Sequence, residues 1–260
     1  MLRKIDLQST IFHEKNRKGE ITTAQIVTII VLIVSFIVIL YFFFRLNLGV
    51  TTNSEICHNS VVLQAKSAKL ISGLQCKTDF VCISGGGTCE NLNPTITLKV
   101  DSTKKNETMK ALADQMANCW WMFGEGQMDY LGLKLSEKVT GGSGCAVCSI
   151  VGIDNKISAI SYKDFIDYLA ITSKDSSQTY LQYLYGVSDV QGLLDEPGVT
   201  DFYNSETISS MDQFSVITGE SKGAFSFFSK GDFLHPVLLK TTDISKYLSS
   251  QCGGNFFTQT

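Results

Sequence analysis

Hydrophobic and polar positions divide this chain sharply near its start. From Ile26 to Phe44 the residues run IVTIIVLIVSFIVILYFFF, with no charge and only Thr28 and Ser35 as polar interruptions. At about 1.5 Å of rise per residue, such a helix reaches roughly 29 Å, close to the ~30 Å hydrocarbon core of a bilayer. Backbone in lipid must satisfy its own hydrogen bonds, so the run predicts a transmembrane helix over residues 26–44. Tyr41 and Phe42 to Phe44 place aromatic rings at one end, where they suit the interface. No later segment is long and apolar enough to span again, which predicts a single-pass protein.

After the span the pattern becomes that of a folded domain. Asn53 to Leu70 reads as a helix or stalk, and Lys77 to Asn93, with Gly85-Gly86-Gly87, as turn-rich. Thr95 to Val100 alternates and is β-branched, so it predicts a strand. Met109, Leu112, Ala113, Met116, Trp120 and Phe123 recur at spacings of three and four, predicting a helix from about Asn106 to Phe123 that stops at Gly124-Glu125-Gly126. Cys145 to Ile153 reads as a strand entered from a glycine-rich turn. Ser161 is expected to cap a helix burying Phe165, Ile166 and Leu169, and Ser176 or Ser177 one burying Tyr180, Leu181 and Leu184. Gln213 to Phe228 suggests a hairpin turning at Thr218 to Gly223. Val237 to Leu239 continues the sheet, and Thr242 is placed as the cap of a last helix. Strands dispersed among helices favour an α+β domain over a doubly wound one. The organisation expected is therefore a basic tail or leader over 1–25, the span over 26–44, and one extracytoplasmic domain over 45–260.

Charge sets the orientation. Arg3, Lys4, Lys15, Arg17 and Lys18 precede the span, whereas only Arg45 follows it before Lys66. Positive flanks stay inside, so the N-terminus is expected in the cytoplasm and the rest outside. From Leu46 onward the chain carries 16 Lys, no Arg and 22 acidic residues, a formal charge of −6. Lacking guanidinium groups for bidentate phosphate contacts, this domain is an improbable nucleic-acid binder. The partners implied are the membrane and other membrane or cell-surface proteins, including copies of itself.

All eight cysteines, Cys57, Cys76, Cys82, Cys89, Cys119, Cys145, Cys148 and Cys252, follow the span. An even set confined to the exported side predicts a disulfide framework whose connectivity spacing alone does not reveal. Cys145-Ala-Val-Cys148 also has the spacing of a thiol oxidoreductase centre or half a zinc site. The turn before it and the apolar run after it read as strand, without the helix that would activate a thiol. His58 and His235 are the domain's only histidines, neither spaced to complete a metal site, so no cofactor is expected.

Other chemistry is thin. Gly85-Gly86-Gly87 lacks the following Gly-Lys-Ser/Thr of a phosphate loop, and Gly141-Gly142-Ser143-Gly144-Cys145 lacks the second glycine of a nucleophile elbow. Glu125 and Asp129 form a carboxylate pair without a recognisable cleft. No segment names a reaction, and the chain is expected not to be an enzyme. Asn118 to Asp129 is the most unusual stretch. Within it adjacent Trp121 and Met122 read either as a partner surface or as part of a buried aromatic cluster. Asn106-Glu107-Thr108 is the one glycosylation sequon.

Two resemblances add to this. Arg17-Lys18-Gly19 before Glu20 and the apolar helix resembles the leader junction of type IV pilins and archaeal pilin-like proteins. By that likeness cleavage would follow Gly19 and leave Glu20 first. The family usually has Glu at the fifth mature position, where this chain has Ala24. Separately, Glu20 to Thr23, Phe44 to Gly49, Glu55 to Leu63, Cys119 to Gly126 and Cys145 to Cys148 resemble single-pass membrane proteins of small-genome (DPANN-type) archaea. This likeness implies an archaeal lineage and an exported domain. It brings no activity. The readings that follow are a structural, adhesive or complex-forming surface protein, a pilin-like subunit processed after Gly19, or a thiol-redox protein using Cys145 and Cys148.

Overall fold

The structure, a computed structural model, describes residues 23–45, 52–66, 74–90, 92–130, 142–194, 203, 206–222, 232–252 and 258–259. The chain divides into two units, Met1–Val50 and Thr51–Thr260.

The first unit contains α1 (Thr23–Arg45). Its window Thr23–Tyr41 is long and apolar enough to cross a membrane and is 0% buried by the rest of the protein. Two of its hydroxyls turn back onto the helix, Thr28 Oγ1 donating to the Ala24 carbonyl at 2.9 Å and Ser35 Oγ to the Val31 carbonyl at 2.7 Å. Back-bonding of this kind leaves neither of these hydroxyls for an apolar solvent to penalise. The side chains of Phe42, Phe43 and Phe44 lie outside those described.

The second unit is an α+β domain. Its elements in order are α2 (Asn53–Lys66), β1 (Cys76–Lys77), β2 (Asp79–Ser84), β3 (Ile96–Lys99), α3 (Lys105–Met122), β4 (Gly142–Ile153) and β5 (Ile160–Ser161). Then follow α4 (Tyr162–Ile171), α5 (Tyr180–Tyr185), α6 (Val190–Leu193), β6 (Thr207–Ile208), β7 (Gln213–Lys222), β8 (Asp232–Lys240), α7 (Ile244–Gln251) and β9 (Thr258–Gln259). The main sheet has the order β3-β2-β4-β7-β8. Its β3-β2-β4 half is parallel and its β4-β7-β8 half antiparallel.

Apolar residues of α3, α4 and α5 pack with Val81, Ala146, Val151 and Val216 into the principal core on one sheet face. A smaller cluster of Cys145, Val147, Ile217, Val237, Leu239, Leu248 and Cys252 fills the other face. All six stripe residues of α3 are buried as its periodicity predicts. Thr108 is buried there too, 1% exposed, and its hydroxyl has no hydrogen-bond partner. Orphaning a buried hydroxyl costs about 1–3 kcal/mol.

Several expectations give way. Asp79–Ser84 lies in the stretch read as turn-rich yet forms the strand between β3 and β4. Nearly all its side chains are buried, so it shows no alternation to read. Thr179, not Ser176 or Ser177, caps α5, through a reciprocal capping box with Gln182. Asp175 instead binds the backbone of Ser177 and Gln178 just upstream. Thr242 makes no cap: a short 3-10 turn, Thr241–Asp243, leads into α7. Ser161 does cap α4, accepting from the Asp164 amide at 3.0 Å.

The turn placed at Thr218 to Gly223 is also corrected. β7 continues through Thr218, where its register against β8 shifts, and Gly219 to Lys222, and residues 223–231 lie outside those described. Glycine serves close approach here, not a turn. A Cβ on Gly219 would lie 2.6 Å from the Gly144 carbonyl oxygen and 2.8 Å from Cys145 Sγ. Gly219→Ala is therefore expected to destabilise the domain by about 2–4 kcal/mol, because backbone and a bonded sulfur cannot step aside. Urea unfolding of the oxidised domain measures this, and an unchanged midpoint would contradict it.

Candidate functional site

The parallel half of the sheet brings two loops to the carboxyl ends of β2 and β4, where α/β folds commonly hold ligands. After β2 comes Gly85-Gly86-Gly87, closed by the Cys82–Cys89 disulfide. After β4 comes Asp154, fully buried. Its Oδ2 accepts the amides of Gly85 and Gly87, both at 2.7 Å, and the Ser84 hydroxyl at 3.1 Å. Its Oδ1 accepts the Lys156 amide at 2.9 Å. Burial pushes this carboxyl up. The hydrogen bonds from Gly87, Lys156, Ser84 and Gly85 outweigh it and leave Asp154 below the usual aspartate value. The donors that would cradle a phosphate are thus already held by the protein's own carboxylate.

Near the same end lies a cavity of about 310 Å³. Ser210, Asp212, Thr241 and Thr242 line it with Lys240 and Glu90. Lys240 Nζ stands 2.8 Å from Glu206 and 3.4 Å from Asp212, and the Glu206 hydrogen bond raises its pKa. Its charge is therefore largely answered within the protein. Among the described residues the cavity offers hydroxyls, the paired Lys240 and the Glu90 carboxylate. Met211 stands beside it, 95% exposed.

The Asn118 to Asp129 stretch is an internal joint. Met122 is only 3% exposed, so it belongs to the core and not to a surface shared with Trp121. The reason is that α3 is buried over more than its predicted stripe, with Ala111, Ala117 and Cys119 also inside. Trp121 is half-buried and stacks on His58 of α2 at 4.2 Å between centroids and 9° between planes. His58 Nδ1 lies 2.8 Å from the Trp121 carbonyl. A carbonyl only accepts, so Nδ1 carries the hydrogen. Asn118 reinforces the joint by donating to Ser54 Oγ at 2.9 Å.

Beyond α3 the chain turns through three left-handed residues, Gly124, Glu125 and Gly126, with φ of 78°, 55° and 69°. Glu125, the one without glycine's freedom, is held by the Tyr183 hydroxyl at 2.6 Å. Burial, and then that hydrogen bond, push the Tyr183 phenol up. Lys174 sits over the Tyr183 ring at 4.1 Å. Asp129, read with Glu125 as a carboxylate pair, is exposed. His235 lies against Trp120 and Tyr185, its Nδ1 2.7 Å from the Leu184 carbonyl.

The eight cysteines form four disulfides, Cys57–Cys76, Cys82–Cys89, Cys119–Cys148 and Cys145–Cys252, and none is free. Cys145 and Cys148 do not bond to each other, contrary to what a Cys-x-x-Cys redox centre requires. They are three apart on a strand, so Cys145 faces the smaller cluster and Cys148 the principal core. Among the described residues no group of three or more His, Cys, Asp or Glu could hold a metal ion. Gly19 and Glu20 lie outside the described residues. No protein-family model matches this sequence, and comparison with curated proteins and with solved structures found no match.

Proposed function

We propose that this protein is a single-pass membrane protein whose disulfide-bonded domain faces outward and serves a structural, adhesive or complex-forming role. The observation that carries the reading is the disposition of its cysteines. All eight follow the span, and all are consumed in four disulfides. Such bridges persist in oxidising, exported compartments. The basic residues before the span favour a cytoplasmic N-terminus.

Labelling intact cells with a membrane-impermeant amine reagent tests the orientation. Exposed Lys105, Lys163 and Lys246 should be modified, while Lys4, Lys15 and Lys18 should stay unmodified until the cells are opened. The reverse pattern would overturn the reading. Intact mass spectrometry without reduction should show a loss of about eight hydrogens relative to the free thiols. The same spectrum reads the N-terminus. A chain beginning at Glu20 would favour a pilin-like subunit, as the Arg17-Lys18-Gly19 junction suggests.

A further inference from the structure

We propose that Asn106 is an N-glycosylation site, and that its glycan is attached before α3 packs into the domain. This rests on the outward orientation proposed above. Asn106-Glu107-Thr108 has the acceptor spacing, whereas Asn93-Pro94-Thr95 is disqualified by its proline. Two observations on the folded chain single out Asn106. Its side chain is exposed on the first turn of α3, where a glycan projects into solvent without disturbing the core. Two residues on, Thr108 is 1% exposed with an unpartnered hydroxyl. Valine would fill that space with the same shape and no orphaned polar atom, so packing does not account for a threonine there. An acceptor sequence does, because the transferase reads the hydroxyl two residues after the asparagine.

The same burial sets the timing. Once α3 is docked, the Thr108 hydroxyl is beyond any enzyme's reach, so transfer belongs to the emerging, still extended chain. The donor is a lipid-phosphate-linked oligosaccharide. Asn106 Nδ2 attacks its anomeric carbon and the N–C bond forms as the C–O bond to phosphate breaks. The lipid phosphate leaves with the electron pair, and the amide gives up one proton to the transferase's base.

Translation of the full chain into glycosylation-competent microsomes tests this. One glycan, removable by an N-glycosidase, is expected on the native chain. It should be lost in Asn106→Gln and Thr108→Val and retained in Thr108→Ser. Thr108→Val should melt no lower than the native protein, so that its loss of glycan is not a failure to fold. Folded, oxidised domain offered to the same membranes afterwards should gain nothing. Asp175→Asn, which places an acceptor ahead of exposed Ser176 and Ser177, is the topology control. Glycan on that variant's new position with none at Asn106 overturns the inference and leaves the orientation standing. Glycan at neither position overturns the outward orientation, and this inference with it.

Discussion

Replacing Cys145 and Cys252 together by alanine is expected to lower the unfolding free energy by about 4–5 kcal/mol, the largest loss among the four bridges. This bridge joins residues 107 apart in sequence, against 7 for Cys82–Cys89. Restricting the unfolded chain is worth more for longer loops, so removing Cys82–Cys89 should cost only about 2–3 kcal/mol. Position sharpens the contrast. Cys145 and Cys252 are fully buried in the smaller cluster, where few other residues fasten α7 to the sheet. Urea unfolding of the two double variants, with the remaining bridges intact, compares them. Equal losses would show that loop entropy is not what orders these disulfides.

Asp154→Asn is expected to cost about 2–4 kcal/mol at neutral pH, since buried donors lose their acceptor. An amide has one oxygen where the carboxylate uses two, and its NH2 group would face the amides of Gly85 and Gly87 or of Lys156. The pH dependence has a definite sign. With its folded pKa below the ordinary value of 3.8, Asp154 contributes fully above that value. The contribution is lost as pH falls from that value through the lower, folded one, because the unfolded state takes up a proton that the folded state still resists. The stability gap between native and Asp154→Asn should thus be constant near neutrality and close in acid below 3.8. A gap that persists unchanged into strong acid would mean that the carboxylate charge is not what holds the glycine loop.

What the sequence made legible follows from how each element meets solvent. The N-terminal apolar helix and the α3 stripe were readable because one is apolar throughout and the other keeps a helical period against water. Asp79–Ser84 was hidden for the opposite reason: buried on both faces, it carries no alternation, and its glycine-rich exit resembles loop. Gly219 misled because a glycine demanded by a neighbouring sulfur looks, in sequence, like one demanded by a turn. Met122 stayed open between partner surface and buried cluster because burial of α3 extends past its regular stripe. Asp154 carried no signal at all, its role set by amides some seventy residues away. The cysteine count announced a framework, but the pairing depends on strand faces that spacing does not encode.

The overlap of two of those bridges has a mechanical side. Cys145 and Cys148 are near neighbours on β4, yet one clamps the C-terminal tail and the other clamps α3. A load entering at Cys57 and leaving through Cys252 would run from sulfur to sulfur, bypassing most of the polypeptide. Only 77–81, 90–118 and the few residues between Cys145 and Cys148 lie in its path, so roughly a fifth of the chain between Cys57 and Cys252 can pay out under tension. Stretched to failure of its fold, the domain would behave as a short, stiff tether.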